Sequence, residues 1–262
     1  MFTNKIKLVA TDMDGTLLNS KKQLPSDFKP WVLSHPDIIT IIASGRQYYA
    51  LQRDLKEIKD HVIFIAENGS LVFENEKIIY QNTMKVEDVI STLRLVENIP
   101  LATPVLCGLN SAYLKETSDE EMRHATMYYE RLSRVDDLYE VAKKETIVKF
   151  AIYIRKQMAE QAHVYFRDLE SSLQSVVSGV SWIDVANKGV NKGLALKAIM
   201  DRYNLNADQC MAFGDYFNDI EMLQQVKYSY ATANAHQAVL NIAAYHTDSN
   251  DDEGVMKVLR KL

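Results

Sequence analysis

The sequence predicts an α/β fold, a Rossmann-like, doubly wound parallel sheet whose chain is interrupted by an inserted α+β unit. Two observations predict the core: short apolar runs alternate with helical patterns at both ends of the chain, and polar clusters follow those runs where a strand would end. A third predicts the insert, because adjacent strand pairs replace the alternation in the middle of the chain. The core is therefore assigned to residues 1–83 and 187–262, and the insert to residues 84–186.

The first part of the chain predicts three buried parallel strands and a hairpin. Residues 6–11, 38–43 and 62–66 are short apolar runs rich in β-branched side chains. Residues 47–58 carry apolar side chains at helical spacing and predict a crossover helix. Residues 70–80 read as a hairpin. Because ligands bind at the carboxyl ends of strands in such sheets, the polar clusters there are candidates for chemistry.

The insert and the second part of the core follow in order. Within the insert, helices are predicted at 86–97, 119–132 and 159–173, and strands near Val105 and Tyr113 and at 147–154, 176–177 and 182–185. After the insert, helices are predicted at 192–203, 218–225 and 237–244, and strands at 210–213 and 228–231. The return of alternation marks the return to the core.

Composition excludes several classes of protein. The 262 residues are 47% hydrophobic and 25% charged, as in globular proteins, and the formal charge of −5 argues against a general nucleic-acid binder. Cys107 and Cys210 are too few for a disulfide framework or a cysteine-based zinc site, which is typical of a cytoplasmic protein. Residues 1–18 do not resemble a signal peptide, and residues 228–247, the longest uncharged stretch, are too polar to span a membrane.

Two acidic clusters are the strongest candidates for chemistry. Asp12 and Asp14 follow the first strand and are expected to point to the same side, which is costly unless a cation such as Mg²⁺ lies between them. Asp215 follows the strand at 210–213 and is expected to add a carboxylate to the same ion. Asn218 is a candidate helix N-cap, and Asp219 is either a supporting acid or a surface acid favoured by the helix dipole.

Three further residues suit the binding of phosphate. Ser44 and Gly45 offer a hydroxyl and backbone N–H groups at a predicted helix start, although a plain turn is the alternative that this pair alone favours. Lys192 precedes a predicted helix and would neutralise a phosphate, whereas a lone lysine is usually a solvated surface residue.

These segments, in this order, resemble the haloacid dehalogenase superfamily of phosphatases. The sequence DMDGT at 12–16 resembles the first motif of that family, Ser44 the second, Lys192 the third and GDYFND at 214–219 the fourth. The insert lies between the second and third motifs and resembles the type IIB cap domain of the Cof-like branch. The ENG sequence at 67–69 and the segment 250–255 are also similar to that branch.

The resemblance implies a mechanism and a ligand set. Asp12 is expected to attack a phosphate monoester and form an aspartyl phosphate, and Asp14 to protonate the leaving alcohol and then activate water. Mg²⁺ is expected on the carboxylates of Asp12 and Asp215 and on the backbone carbonyl of Asp14, with Asp219 close by. The residues expected to bind the phosphoryl group are Ser44, Gly45, Lys192 and Asn218.

The cap is expected to select a small substrate, such as a sugar phosphate, and to close over the core. Arg46, Glu67 and Asn68 are candidate substrate contacts, with a surface ion pair as the alternative for Arg46 and a turn-forming role for Asn68. The resulting prediction is a cytoplasmic hydrolase, monomeric or homodimeric, that binds neither nucleic acid nor membrane.

Three other functions stay open at this point. A phosphotransferase or phosphomutase would use the same residues, with a sugar hydroxyl in place of water. A signalling receiver module also uses Mg²⁺ and a phosphorylated Asp, but it is shorter and normally lacks an acid two residues later, so Asp14 argues against it. An inactive binding protein is disfavoured because the set of motif residues is intact.

Overall fold

The structure is a computed structural model that describes residues 5–115, 118–167 and 169–262. The chain divides into two compact units. The first unit contains the chain up to Tyr48 together with Asp54–Tyr80 and Asn191–Leu262, and the second contains Gln81–Val190 together with Tyr49–Arg53. The predicted α/β fold, with a parallel-sheet core and an inserted α+β unit, is confirmed.

The strands form two sheets, one in each unit. In chain order the strands are β1 (Leu8–Asp12), β2 (Ile39–Ala43), β3 (Val62–Ala66), β4 (Leu71–Glu74), β5 (Lys77–Gln81), β6 (Ala102–Gly108), β7 (Ala112–Leu114), β8 (Leu132–Arg134), β9 (Ile147–Ile154), β10 (Leu173–Gly179), β11 (Trp182–Asn187), β12 (Cys210–Gly214), β13 (Tyr228–Thr232) and β14 (Tyr245–Thr247).

The α-helices connect these strands and cover the sheets. In chain order they are α1 (Phe28–Ser34), α2 (Tyr48–Asp54), α3 (Val86–Val96), α4 (Asp119–Tyr128), α5 (Leu138–Lys144), α6 (Ala159–Ala162), α7 (Lys192–Arg202), α8 (Ile220–Gln224), α9 (Gln237–Ile242) and α10 (Gly254–Leu259). None of the helices in the described ranges has the length and apolar character that crossing a membrane requires.

The sheet of the first unit has the strand order β14-β13-β12-β1-β2-β3-β4-β5. Its strands from β14 to β3 are parallel, and β4 runs antiparallel to β3. In the centre, Thr11 of β1 lies beside Phe213 of β12, and Asp12 lies beside Ala43 of β2. The carboxyl ends of β12, β1, β2 and β3 therefore lie side by side at one edge of the sheet.

Burial explains why these short runs form the centre of the first unit. All five residues of β1, of β3 and of β12 are buried, as expected for parallel strands that are covered on both faces. Leu8, Ile41 and Ile63 pack in one apolar cluster with Leu196 of α7 and Met222 of α8. This packing holds the ends of the strands in place, so the loops that follow them begin at fixed positions.

The sheet of the second unit has the strand order β10-β11-β9-β6-β7-β8. Its pairings are antiparallel except for that between β7 and β8. The central strand β9 is buried along its whole length, and its residue Phe150 packs with Leu93 of α3, Leu138 of α5 and Ala159 of α6. The unit therefore has an apolar core of its own, formed by one face of its sheet and these helices.

Three predicted helices are shorter than the periodicity indicated. The helix predicted at 47–58 ends at Asp54, the one predicted at 119–132 ends at Tyr128, and the one predicted at 159–173, whose residue 168 lies outside the described residues, ends at Ala162. In the last two cases the predicted helix runs into a strand, because Leu132 begins β8 and Leu173 begins β10, which pair with β7 and β11. Ladder pairing overrides weak local helix propensity there. Residues His163–Phe166 form a 3₁₀ helix.

Phe150→Ala tests the independent core of the second unit. Phe150 is fully buried, so its truncation leaves a cavity and is expected to lower the free energy of unfolding by about 3–5 kcal/mol. Val180→Ala is the control, because Val180 is 66% exposed and its truncation is expected to change stability by less than about 0.5 kcal/mol. Urea denaturation followed by circular dichroism measures both, and equal effects would contradict this description of the core.

Candidate active site

A buried ion-pair network lies at the carboxyl edge of the first sheet. Lys192, the first residue of α7, is fully buried, and its Nζ donates to Oδ1 of Asp12 at 2.6 Å and to Oδ1 of Asp219 at 2.7 Å. The helix start is fixed because the Asn191 side chain accepts a hydrogen bond from the N–H of Leu194. Lys192 is therefore not the solvated surface lysine that the sequence left open.

Asp219 organises the loop that follows β12. Its side chain is fully buried, and its Oδ2 accepts hydrogen bonds from the backbone N–H groups of Asp215 at 3.0 Å and Tyr216 at 3.2 Å. Because its Oδ1 binds Lys192, both carboxylate oxygens are engaged by the protein. The alternative of a surface acid is excluded, and Asp219 acts by shaping this loop and by holding the lysine.

Three carboxylates share this region with one ammonium group. Oxygens of Asp12, Asp215 and Asp219 lie within 4.8 Å of one another. Burial raises the pKa of Asp12 well above its usual value, and repulsion from the other two acids adds to this against the opposing charge of Lys192. Burial, together with the charge of Asp219, raises the pKa of Asp215 to about 7. When all three acids are ionised, their negative charge exceeds the charge of the single ammonium group, and this excess favours the binding of a proton or a cation.

The cluster fits a divalent cation. Oδ2 of Asp12 is buried and, among the residues that the structure describes, has no hydrogen-bond partner. A carboxylate oxygen of this kind is costly to bury, and a hard cation beside Asp215 would satisfy it and remove the repulsion at the same time. The donor set, made only of carboxylate oxygens, suits Mg²⁺ rather than a metal that prefers nitrogen or sulfur.

The loop after β1 holds Asp215 from the other side. Oγ1 of Thr16 donates to Oδ1 of Asp215 at 2.7 Å. Gly15 has a φ of +86°, and a Cβ atom there would lie only 2.4 Å from Oδ2 of Asp215. No local pattern in the sequence gives Thr16 this role, because its partner Asp215 lies 199 positions away in the chain.

Asp14 belongs to a separate charge network. Arg46 donates from Nε to Oδ2 of Asp14 and from Nη2 to Oδ1, both at 2.6 Å, and Nζ of Lys22 donates to Oδ1 at 2.7 Å. Burial alone would raise the pKa of Asp14, but these hydrogen bonds and charges lower it below its usual value. Arg46 also donates from Nη1 to Asp54 at 2.8 Å. Only 8% of Arg46 is exposed, so it is not a surface ion pair.

The loops after β2 and β3 are joined through their backbones. The N–H of Asn68 donates to the carbonyl of Ser44, and the N–H of Glu67 donates to the carbonyl of Arg46, each at 3.1 Å. Glu67 and Asn68 both adopt the left-handed region, with φ of 52° and 56°. Consecutive non-glycine residues in that region are strained and are typical of functional sites. Oγ of Ser44 accepts the N–H of Arg46 at 3.2 Å.

Asn68 links the second and fourth motif segments. Nδ2 of Asn218 donates to Oδ1 of Asn68 at 3.0 Å, and a Cβ atom on Gly45 would lie 3.0 Å from the same oxygen. The expectation that Asn218 caps a helix is wrong, because a short 3₁₀ turn precedes α8 and its capping position is Asp219. The Asn218 side chain instead forms its hydrogen bond with Asn68, and this contact connects the loop after β12 to the loop after β3.

The C-terminal segment clamps the loop after β1, which the sequence analysis did not predict. Nδ2 of Asn234 donates to the carbonyl of Gly15 at 2.8 Å, and its Oδ1 accepts the N–H of Asn250 at 3.0 Å. Nδ2 of Asn250 donates to the carbonyl of Leu18 at 2.9 Å. These contacts fix the turn that carries Asp14. Of the residues involved, only Asn250 lies in a segment, 250–255, that the sequence had singled out by its similarity to the Cof-like branch.

Comparison with known proteins gives a consistent set of matches. Residues 9–259 match the sequence model of the haloacid dehalogenase-like hydrolases. The chain is 31% identical to the 5-amino-6-(5-phospho-D-ribitylamino)uracil phosphatase YbjI of Escherichia coli, over 98% of this chain and 96% of the relative. SMU.1108c of Streptococcus mutans, a solved structure, has 31% identity and a TM-score of 0.90 over 98% of both chains. The HAD subclass IIB sugar phosphatase BT4131 has 20% identity and a TM-score of 0.82 over 97% of this chain and 98% of that one.

Gly15→Ala tests the close approach of the first loop to Asp215. The substitution is expected to displace Asp215 and to abolish the rise in melting temperature that Mg²⁺ produces by binding the folded cluster. Gly189→Ala is the matched control, because Gly189 also has a φ of +86° but, apart from its chain neighbours, no atom of the described residues lies within 4 Å of its added Cβ. A Mg²⁺ response that both variants retain would contradict the proposed geometry.

The raised pKa of Asp215 predicts a pH dependence of stability without added metal. Between its ordinary value of 3.8 and about 7, the folded state binds more protons than the unfolded chain, so the free energy of unfolding falls as the pH rises through that range. Asp215→Asn is expected to flatten this slope. Asp37→Asn, whose side chain is 82% exposed, is expected to leave it unchanged. Urea denaturation in the presence of a chelator at several pH values measures the effect.

Proposed function

Because the chain belongs to the haloacid dehalogenase-like hydrolases and has the subclass IIB fold, we propose that it hydrolyses small phosphate monoesters with Mg²⁺ and a phosphoryl group carried on Asp12. That it is a phosphatase follows from the family and from its relatives. The proposal of Asp12 as the nucleophile rests on its pairing with buried Lys192 through Oδ1, while its Oδ2 has no hydrogen-bond partner among the residues that the structure describes.

The proposed cation site consists of the carboxylates of Asp12 and Asp215 and the backbone carbonyl of Asp14, with Asp219 beside them. Mg²⁺ held there would supply positive charge to the phosphoryl oxygens. Asp219 already uses both oxygens for Lys192 and for backbone N–H groups. We therefore assign it to supporting the site rather than to a direct bond with the ion.

Four further residues of the chain are assigned to binding the phosphoryl group or to shaping its site. Lys192 offsets the charge of Asp12 and is placed to neutralise a phosphoryl oxygen. Ser44 and Gly45 supply a hydroxyl and backbone N–H groups at the start of the segment that leads into α2. Asn218 is held at the edge of the same region through Asn68. Catalysis in this arrangement is mainly positioning and charge stabilisation.

Asp14 is assigned the proton transfers. In the first step an oxygen of Asp12 forms a bond to phosphorus, the bond to the leaving alcohol breaks, and Asp14 gives a proton to that alcohol. In the second step water forms a bond to phosphorus, the bond to Asp12 breaks, and Asp14 receives the proton of the water. The two steps together consume one water and restore Asp14.

The substrate class follows from chemistry that the relatives share. The name of the Escherichia coli relative gives a phosphate monoester on a ribityl side chain, which is a sugar-like alcohol of the kind that the sequence analysis expected. We propose this class for the present chain, with Glu67 and Asn68 as candidate contacts of the leaving group. A cytoplasmic location and a monomeric or homodimeric state belong to the same proposal.

Asp12→Asn tests the proposed nucleophile. Phosphate release is measured on hexose phosphates, on the ribityl ester named for the relative and on p-nitrophenyl phosphate, with Mg²⁺ and with chelator. The substitution is expected to lower release by a factor on the order of a thousand or more, because an amide oxygen is a poor nucleophile, and to leave the melting temperature close to that of the wild type.

Asp37→Asn is the matched control, because it makes the same chemical change at an exposed position outside the site. It is expected to keep full activity. Release that persists in chelator, or that survives Asp12→Asn, would overturn the assigned roles. Transfer of phosphate to an added sugar without release to water would favour the phosphotransferase alternative.

A further inference from the structure

Asp14 is bound as a hydrogen-bond acceptor at both of its carboxylate oxygens. Oδ2 accepts from Nε of Arg46, and Oδ1 accepts from Nη2 of Arg46 and from Nζ of Lys22. The two bonds from Arg46 are parallel and short, at 2.6 Å each, which is the bidentate geometry that fixes a carboxylate in one orientation. Lys22, whose side chain is 58% exposed, adds a single contact from the solvent side.

Arg46 is itself held in place by contacts other than those with Asp14. Its Nη1 donates to Asp54 at 2.8 Å, so that the guanidinium lies between two carboxylates. Its backbone N–H donates to Ser44 and its carbonyl accepts from Glu67. Arg46 therefore connects the loops after β2 and β3, and its side chain fixes Asp14 relative to these loops.

An orientation of this kind suits one half of the proposed reaction. A carboxylate whose two oxygens both accept N–H bonds is held ionised and in one orientation, and the ionised form is the one that can take a proton. Taking a proton is what the second step requires, when water attacks the phosphoryl group, its proton passes to Asp14, and the bond between phosphorus and Asp12 breaks with its electron pair returning to Asp12. The first step with an alcohol leaving group requires Asp14 to give a proton instead, and donors at both of its oxygens do not assist that transfer.

We infer that Arg46, anchored by Asp54, is a positioning residue that aims Asp14 for the hydrolysis of the aspartyl phosphate, and not a residue that binds the leaving group. The inference rests on the proposed function, since it presumes a phosphoryl group on Asp12. It replaces the expectation that Arg46 contacts the substrate with a role confined to one step.

The test uses p-nitrophenyl phosphate, whose leaving group needs no proton, so that the first step does not depend on Asp14. Arg46→Gln is expected to lower kcat by a factor on the order of 100. It is expected to leave kcat/KM within about threefold of the wild type, because that ratio reports the first step. A burst of p-nitrophenol close to one equivalent per enzyme should precede the slow phase.

Three further variants sharpen the test. Arg46→Lys keeps the charge but loses the bidentate grip, and it should recover only part of kcat. Asp54→Asn removes the anchor alone and should give the same burst with a smaller loss. Arg202→Gln is the control, because Arg202 forms an exposed pair with Glu74 elsewhere in the first unit, and it should match the wild type.

The outcomes separate the possible roles. A raised KM with a lowered kcat/KM and no burst would make Arg46 a substrate contact and overturn the inference. Equal losses in kcat and kcat/KM without a burst would make its role structural and overturn it as well. If Arg46→Gln does not fold, Asp54→Asn decides, since its burst supports the inference and its absence refutes it. A wild type that releases no phosphate from any ester would instead refute the proposed function.

Discussion

The contact between the Lys192 ammonium and the two carboxylates of Asp12 and Asp219 is the interaction on which the rest of the site depends. All three side chains are buried, and a buried ion costs several kcal/mol unless partners surround it. Removing the lysine would leave two buried carboxylates uncompensated, at a cost of about 3–5 kcal/mol, whereas Asp12→Asn leaves a matched pair of Lys192 and Asp219. The three residues come from β1, α7 and the loop after β12, so their contact also fixes these elements relative to each other.

In this region three carboxylates face one ammonium group, and the surrounding residues hold these groups close together. Thr16 and the backbone hold Asp215 next to the other acids although burial and repulsion raise the pKa of its carboxyl to about 7. Asn234 and Asn250 hold the facing turn by its carbonyl groups. Neutral donors are used at these places, so they do not offset the repulsion between the acids, which a proton or a bound cation would relieve.

The sequence predicts the features of the site that follow from local patterns or from parallel topology. It does not predict specific side-chain contacts between residues that are far apart in the chain. Asp12 and Asp215 were predictable because each follows a buried apolar run, and parallel topology brings such ends together. Helix α1 and helix α5 are short and gave no periodic signal that the sequence analysis recognised. The partner of Asn218 was mispredicted, because capping is a local rule and the actual acceptor, Asn68, comes from another loop. The pairing of Arg46 with Asp14 spans 32 positions, and no local pattern encodes it.

The two acids of the first motif illustrate the same point in chemical terms. Spacing alone suggested that Asp12 and Asp14 repel each other and need one shared cation. In the structure the two side chains have different partners, buried Lys192 for Asp12, and buried Arg46 together with exposed Lys22 for Asp14. Their pKa values consequently move in opposite directions, up for Asp12 and down for Asp14. A raised pKa does not by itself suit a nucleophile, which must be ionised, so the charges of Lys192 and of a bound cation would have to lower the pKa of Asp12. Geometry rather than these shifts separates the proposed tasks: Asp12 has a buried oxygen without a hydrogen-bond partner among the described residues, whereas both oxygens of Asp14 are held by donors.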